Sequence, residues 1–146
     1  MYQDTVTLFN RRTDRSTQTV TWYATVLKGV NLNNDRGAIV RQYGEQSQDN
    51  VILNVKLEDG QVNGKPYLQS KEWQRGADPE GTITVKSGED ADFFWAGEWT
   101  GSNVIPNDGY GLVGFRDYME RNYDNVFEVT SVGEYSVIPH LQITGK

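Results

Sequence analysis

The stretch FEVTSVGEYSVIPHLQITGK, residues 127–146, decides the fold. Two runs rich in β-branched and aromatic residues, Val126–Val132 and Tyr135–Ile143, flank the pair Gly133-Glu134. A Gly-X pair between such runs fits a type II′ turn, because glycine supplies the positive φ of the first turn position. This predicts an antiparallel hairpin closing a small sheet or barrel.

Earlier stretches repeat the strand pattern. In Asp4–Asn10, Val6 and Leu8 alternate with Thr5, Thr7 and Phe9, as in a half-buried strand. Val20–Leu27 puts Val20, Trp22, Ala24 and Val26 on one face and Thr21, Tyr23, Thr25 and Leu27 on the other. Val51–Leu57 alternates cleanly, and Asp59-Gly60 and Asn63-Gly64 are hairpin-type pairs just after it. Gly81–Lys86 reads as a short strand that turns through Ser87–Asp90 into a second one, Asp92–Trp95. Between these lie a polar loop or hairpin tip, Asn10–Thr19, and a long polar excursion, Lys28–Asn50. Lys65–Asp78 has no regular period, and Gly97–Gly114 is a loop rich in Gly, Asn, Asp and Pro. The single predicted helix is Phe115–Asn122, with Phe115, Tyr118, Met119 and Asn122 at helical spacing. Short strands punctuated by turn pairs predict one mainly β domain over residues 1–146, a small antiparallel barrel or sandwich with long loops.

The chain has 146 residues, 14 basic against 20 acidic side chains, and a net charge of −6. Such an acidic balance argues against a nucleic-acid grip, which requires cations to displace counterions from phosphates. No cysteine is present, so disulfides, thiolate metal sites and a Cys nucleophile are excluded. The opening MYQDTVTLFNRR has no apolar signal region, and no apolar run approaches the length of a membrane span, which predicts a soluble product made in the cytoplasm.

Four constellations hold residue types that could carry chemistry. Gly109–Gly114 matches G-x-G-x-x-G before a helix but lacks the preceding strand and the crossover of a dinucleotide site, so it reads as a glycine-rich loop. Acids at Glu89, Asp90, Asp92 and Glu98 are interleaved with Phe93, Phe94, Trp95 and Trp99. Paired carboxylates beside aromatics suit a glycan-binding module using Trp95, Trp99 and Tyr110, or a cell-wall hydrolase depending on Asp92 and Glu98. In a strand, however, Asp92 and Phe94 share one face while Phe93 and Trp95 share the other, which fits core and turn positions equally well. Asp90 with Asp92, or Asn33 with Asp35, could touch Ca²⁺, without the spacing of an EF-hand. His140 is the only histidine, so a His-based triad or a multi-His metal site is excluded, and packing at a strand end is expected of it. The expectation is a protein that is not an enzyme, with no cofactor and no metal. Arg11, Arg12 and Arg15 cluster beside the first strand, either as a solvated face or as cations for the acidic surface of another copy.

The chain resembles a family of small proteins encoded in the structural modules of tailed phages and prophages of Gram-positive bacteria. The resemblance runs through Asp4–Asn10, Thr21-Trp22-Tyr23 to Thr25-Val26-Leu27, Lys65-Pro66-Tyr67-Leu68, Lys71-Glu72-Trp73 and Asp92-Phe93-Phe94-Trp95. It ends on Val129–Val132, Pro139-His140 and Gly145-Lys146. Proteins with this start and end resemble head-closure, or stopper, proteins of the head–tail connector; adaptor, tail terminator and minor head protein share the setting. The resemblance implies a virion protein assembled in the host cytoplasm, a homo-oligomeric ring between portal-adaptor proteins and tail proteins. DNA would pass through its channel without sequence-specific binding. It implies a channel loop at Val30–Asn50, with Arg36, Arg41 and Tyr43 as contacts, and an interface drawing on Arg11, Arg12, Trp95, Trp99 and Tyr110.

Overall fold

A computed structural model describes residues 3–34 and 51–146. The strands are β1 (Asp4–Asp14), β2 (Thr19–Asn34), β3 (Val51–Lys56), β4 (Gln61–Val62), β5 (Lys65–Pro66), β6 (Phe93–Trp95), β7 (Val104–Pro106), β8 (Val126–Tyr135) and β9 (His140–Gly145). Helix α1 spans Ser70–Arg75, a 3₁₀ turn spans Asn107–Tyr110, and α2 spans Gly114–Asn122. Strands run in the order β1-β6-β8-β9-β3-β2, and β2 pairs back onto β1, which closes a six-stranded antiparallel barrel. Strand β7 is an extra strand on the first part of β2.

Closure depends on β2 serving two neighbours. Thr19–Val30 pairs with β1, and the last residues, Asn31–Asn34, pair with β3. The switch falls at Gly29, whose φ of 68° accompanies a register shift opposite Asp4 and Thr5. A bulge with glycine in the left-handed region bends a strand without straining a Cβ, and the bend carries β2 around the barrel.

Alternation sorts the apolar residues to two sides of the wall. Val6, Leu8, Leu27, Val30, Leu53, Val55, Phe94, Phe127, Leu141 and Ile143 fill the interior with Ile83 and Val85 of a crossing segment. The space between Leu8, Leu27, Val55, Ile83 and Leu141 at the barrel centre is too small for a water molecule. Phe9, Trp22, Ala24 and Phe93 face outward, where Ile105, Phe115 and Met119 cover them. Neighbours Phe93 and Phe94 thus belong to different cores, as the period of two requires.

Several sequence expectations need correction. The final hairpin exists, but β8 runs straight through Gly133-Glu134, which pair with Gln142 and Leu141, and the tip is 136–139. Gly133 is not at positive φ, so no type II′ turn forms there. Asn10–Thr19 is not a loop throughout: β1 continues to Asp14, because its polar residues ladder against Thr19–Tyr23 of β2. Lys28–Asn34, expected to open the polar excursion and, from Val30, the channel loop, is strand, with Val30 fully buried. The rest of the expected channel loop, including Arg36, Arg41 and Tyr43, lies outside the described residues, so nothing tests it. Gly81–Lys86 makes only an isolated bridge, Ile83 to Tyr67, and the following strand begins at Phe93. Within Lys65–Asp78, read as having no regular period, a second helix, α1, forms at Ser70–Arg75, where Trp73 is 1% exposed. Both Asx-Gly pairs hold the left-handed conformation of tight turns: φ is 54° and 74° at Asp59-Gly60, and 49° and 82° at Asn63-Gly64.

Candidate interaction surfaces

Most side chains of interest are structural once the elements are in place. Asp92 is fully buried at the head of β6, where the hairpin β1–β2 meets the crossing segment. Its Oδ1 accepts from the Arg11 backbone N–H at 2.8 Å, and its Oδ2 accepts from Asn10 Nδ2 at 2.8 Å and the Lys86 N–H at 2.9 Å. Burial pushes its pKa up to about 7, against the pull of these three donors. The carboxylate is therefore a strut tying three segments together. Glu98 lies on the surface, so the two acids have opposite environments. Asp90 is exposed and pairs with Arg11 at 3.5 Å, and Asp35 lies outside the described residues.

The aromatics of the acid-rich stretch are similarly engaged. Trp95 packs on Tyr123 at 4.9 Å, Trp99 meets Phe9 at 5.6 Å and Phe115 at 5.5 Å edge to face, and Tyr110 rests on Phe115 at 4.9 Å. Their faces line one outer cluster, half-buried, instead of forming an open platform. The glycine-rich run before α2 is closed as well. Asn107 Oδ1 accepts both from the Phe115 N–H at 2.9 Å and from Trp22 Nε1 at 2.9 Å, which satisfies an orphan donor at the helix start. Gly114, at φ 87°, passes so close to Asn107 that a Cβ would stand 2.7 Å from its Oδ1. That explains the motif without a phosphate.

The arginines divide. Arg12 donates to the carbonyls of Trp73 (3.3 Å) and Gly76 (2.6 Å) and lies 5.6 Å over the Trp73 ring, so it fastens α1 to β1. Arg15 and Arg75 line, with Arg12, Tyr23 and Gln74, a cleft of about 400 Å³ beyond the hairpin. Arg11, Lys86 and Asp90 line the neighbouring hollow. One end of an acidic chain is therefore cationic.

Two protrusions carry what the sequence did not single out. Leu112 is 108% exposed and Val113 56%, on the loop between the 3₁₀ turn and α2. At the β8–β9 tip Val137 is 95% and Ile138 76% exposed. The tip is braced from within: Tyr135 stacks on His140 at 4.9 Å, and the His140 ring lies 2.7 Å from the Ile138 carbonyl through Nδ1. Beside it, a shallow groove of about 430 Å³ is lined by Leu57, Ile138, Pro139 and His140 together with Lys56, Glu58 and Asp59. Burial of adjacent aliphatics is the usual outcome in a folded chain, so these are the anomalous positions of the surface.

Comparison with curated proteins and with solved structures gives no match. A family described as a family of unknown function, DUF6751, matches residues 1–146. Because that match spans the whole of this closed barrel, the chain belongs to the DUF6751 family.

Proposed function

We propose that the chain is a structural subunit of the phage neck, a head-closure or stopper protein that works by shape and by contact with copies of itself and with connector proteins. The observation that carries this reading is the uncovered aliphatic side chains on two separate protrusions, Leu112–Val113 and Val137–Ile138, of a barrel whose own cores are filled. Exposed apolar groups of this kind mark protein contacts. The resemblance of the chain to head–tail connector proteins supplies the setting.

Charge supports the same reading. Copies carrying −6 repel one another unless opposite patches meet, and the cationic cleft of Arg12, Arg15 and Arg75 gives each copy a basic end. Association should therefore weaken as salt screens it. An acidic surface facing a channel would also let duplex DNA slide past.

The test is genetic. In a phage or prophage encoding this chain, its removal should leave filled heads that fail to join tails and lose their DNA, with portal and tail proteins still made. Complete tailed particles formed without it would refute the neck role. Filled heads that keep their DNA but lack tails would instead place it in a tail-joining layer.

A further inference from the structure

The arginines at the end of the β1–β2 hairpin stand apart from the other cations of the chain. With 20 acidic side chains against 14 basic ones, a carboxylate partner is easy to find on this surface. On α2, Arg116 pairs with Glu128 at 2.7 Å and Arg121 with Asp117 at 2.7 Å. Arg12, Arg15 and Arg75 share one cleft of about 400 Å³ and have no carboxylate partner among the described residues. Asp14 also lines that cleft, but it is committed to its own turn, its Oδ1 accepting from the Ser16 N–H at 2.9 Å and the Ser16 hydroxyl at 2.8 Å. Like charges gathered without a counter-ion repel one another, and an external anion removes that cost.

The walls are set before any ligand arrives. Arg12 is held by the carbonyls of Trp73 and Gly76 and by the Trp73 ring. Opposite it, Gln74 Nε2 donates to the Arg11 carbonyl at 2.6 Å, and Gln74 Oε1 accepts from the Thr13 N–H at 3.4 Å. A guanidinium already fixed loses little rotamer freedom on meeting an oxyanion. On the far side of Gln74 a second hollow, of about 290 Å³, adds Arg11 and Lys86, with Asp90 already paired to Arg11. Both hollows include Thr13, Arg15 and Gln74, so they form one groove around the hairpin end, which suits an extended ligand better than a single ion.

We propose that this groove binds an extended acidic segment of a partner protein, with its carboxylates on Arg12, Arg15 and Arg75. Planar guanidinium forks match carboxylates in bidentate geometry. Nucleic acid offers the same sign of charge but without interruption, about one charge per 1.7 Å of duplex axis. The five cations of the groove outnumber its two acids, so the rest of the chain is more negative than the net −6, and a phosphate backbone leaving the groove meets repulsion. A polypeptide confines its charge to a few residues and avoids that. Attraction between copies needs only the sign of this end, whereas the groove selects by shape. The proposal goes beyond the assembly reading and does not rest on it.

The probe is a fluorescein-labelled deca-glutamate peptide, titrated with the full chain at low salt and followed by fluorescence anisotropy. Binding should weaken as salt rises, and Arg15→Glu combined with Arg75→Glu should weaken it at least about tenfold. Both arginines are exposed, so the urea midpoint should stay that of the parent chain, and the milder pair Arg15→Gln with Arg75→Gln should give an intermediate loss. Lys28→Glu with Lys146→Glu changes the net charge equally from exposed positions outside the groove and should leave the affinity within about twofold. No binding, or an equal loss in this control, overturns the proposal. So does an oligothymidylate of the same charge that binds as tightly as the peptide, which would make the groove a nucleic-acid site. Failure of the peptide leaves the deletion phenotype as the separate test of the neck role, and normal particles in the deletion leave the peptide result standing.

Discussion

The inner and outer cores share the same strands and differ in almost everything else. Inside the barrel, mostly aliphatic residues from every wall strand interlock, and the register of the ladders fixes their positions. Outside, Phe9, Trp22, Phe93, Phe115 and Trp99 meet ring to ring, and their cover is a short helix and a 3₁₀ turn held by Asn107. The difference teaches that the barrel positions the exposed β8–β9 tip, while the aromatic layer positions the exposed Leu112 loop. Disturbing one should leave the other's exposed element in place, unless the whole fold is lost.

The largest effect should come from the inner core. Phe94 meets Phe127 at a tilt, 5.5 Å between centroids, and is fully buried, so Phe94→Ala should lower stability by about 3–5 kcal/mol, measured by urea unfolding. Overpacking is the converse probe. A Cβ on Gly145 would stand 2.9 Å from the Phe94 ring and 3.1 Å from the Glu128 carbonyl oxygen, so Gly145→Ala should cost about 1–3 kcal/mol.

The outer layer should yield more locally. Asn107→Ala leaves Trp22 Nε1 and the Phe115 N–H without their acceptor and should cost about 1–2 kcal/mol. Hydrogen exchange would sharpen the contrast: amides of α2 should speed up in that variant while those of β8 and β9 keep their protection. Uniform acceleration would mean that the two cores unfold as one unit.

The last probe concerns the polar junction at the barrel end. Asp92 has its pKa raised by burial from 3.8 to about 7, so the native state holds a proton more tightly than the unfolded chain does. Its contribution is then greatest below pH about 4 and falls as pH rises through about 7, by at most a few kcal/mol. Asp92→Asn should flatten the stability profile across that window relative to the parent chain. An equal slope in both proteins would contradict the assigned burial cost.

Much of the barrel was legible because a wall buried on one side writes a period of two. Val51, Leu53 and Val55 alternate with exposed or half-buried neighbours, and both Asx-Gly turns lie where their chemistry required. Helix α2 was legible from Phe115 and Met119, which do face the outer core. The extensions of β1 and β2 were not, because Arg11–Asp14 owe their strand conformation to the ladder with β2 and carry no apolar face. Helix α1 is six residues long, too short for periodicity, and is fixed by Arg12 and by burial of Trp73. The hairpin tip was misplaced because Gly133 can also lie extended, and Pro139 marks the end of the turn instead. Exposure of Leu112 and Ile138 is a tertiary property, and nothing in a residue's type announces it.

The central claim, that copies of this barrel assemble through uncovered loops in a phage neck, meets its most direct test in cryo-electron microscopy of intact particles. The account predicts a ring of this barrel between portal-adaptor and tail, with the exposed loops at Leu112 and at Ile138 covered by neighbouring chains. A neck fully explained by other chains, or this barrel present with both loops facing solvent, would contradict it.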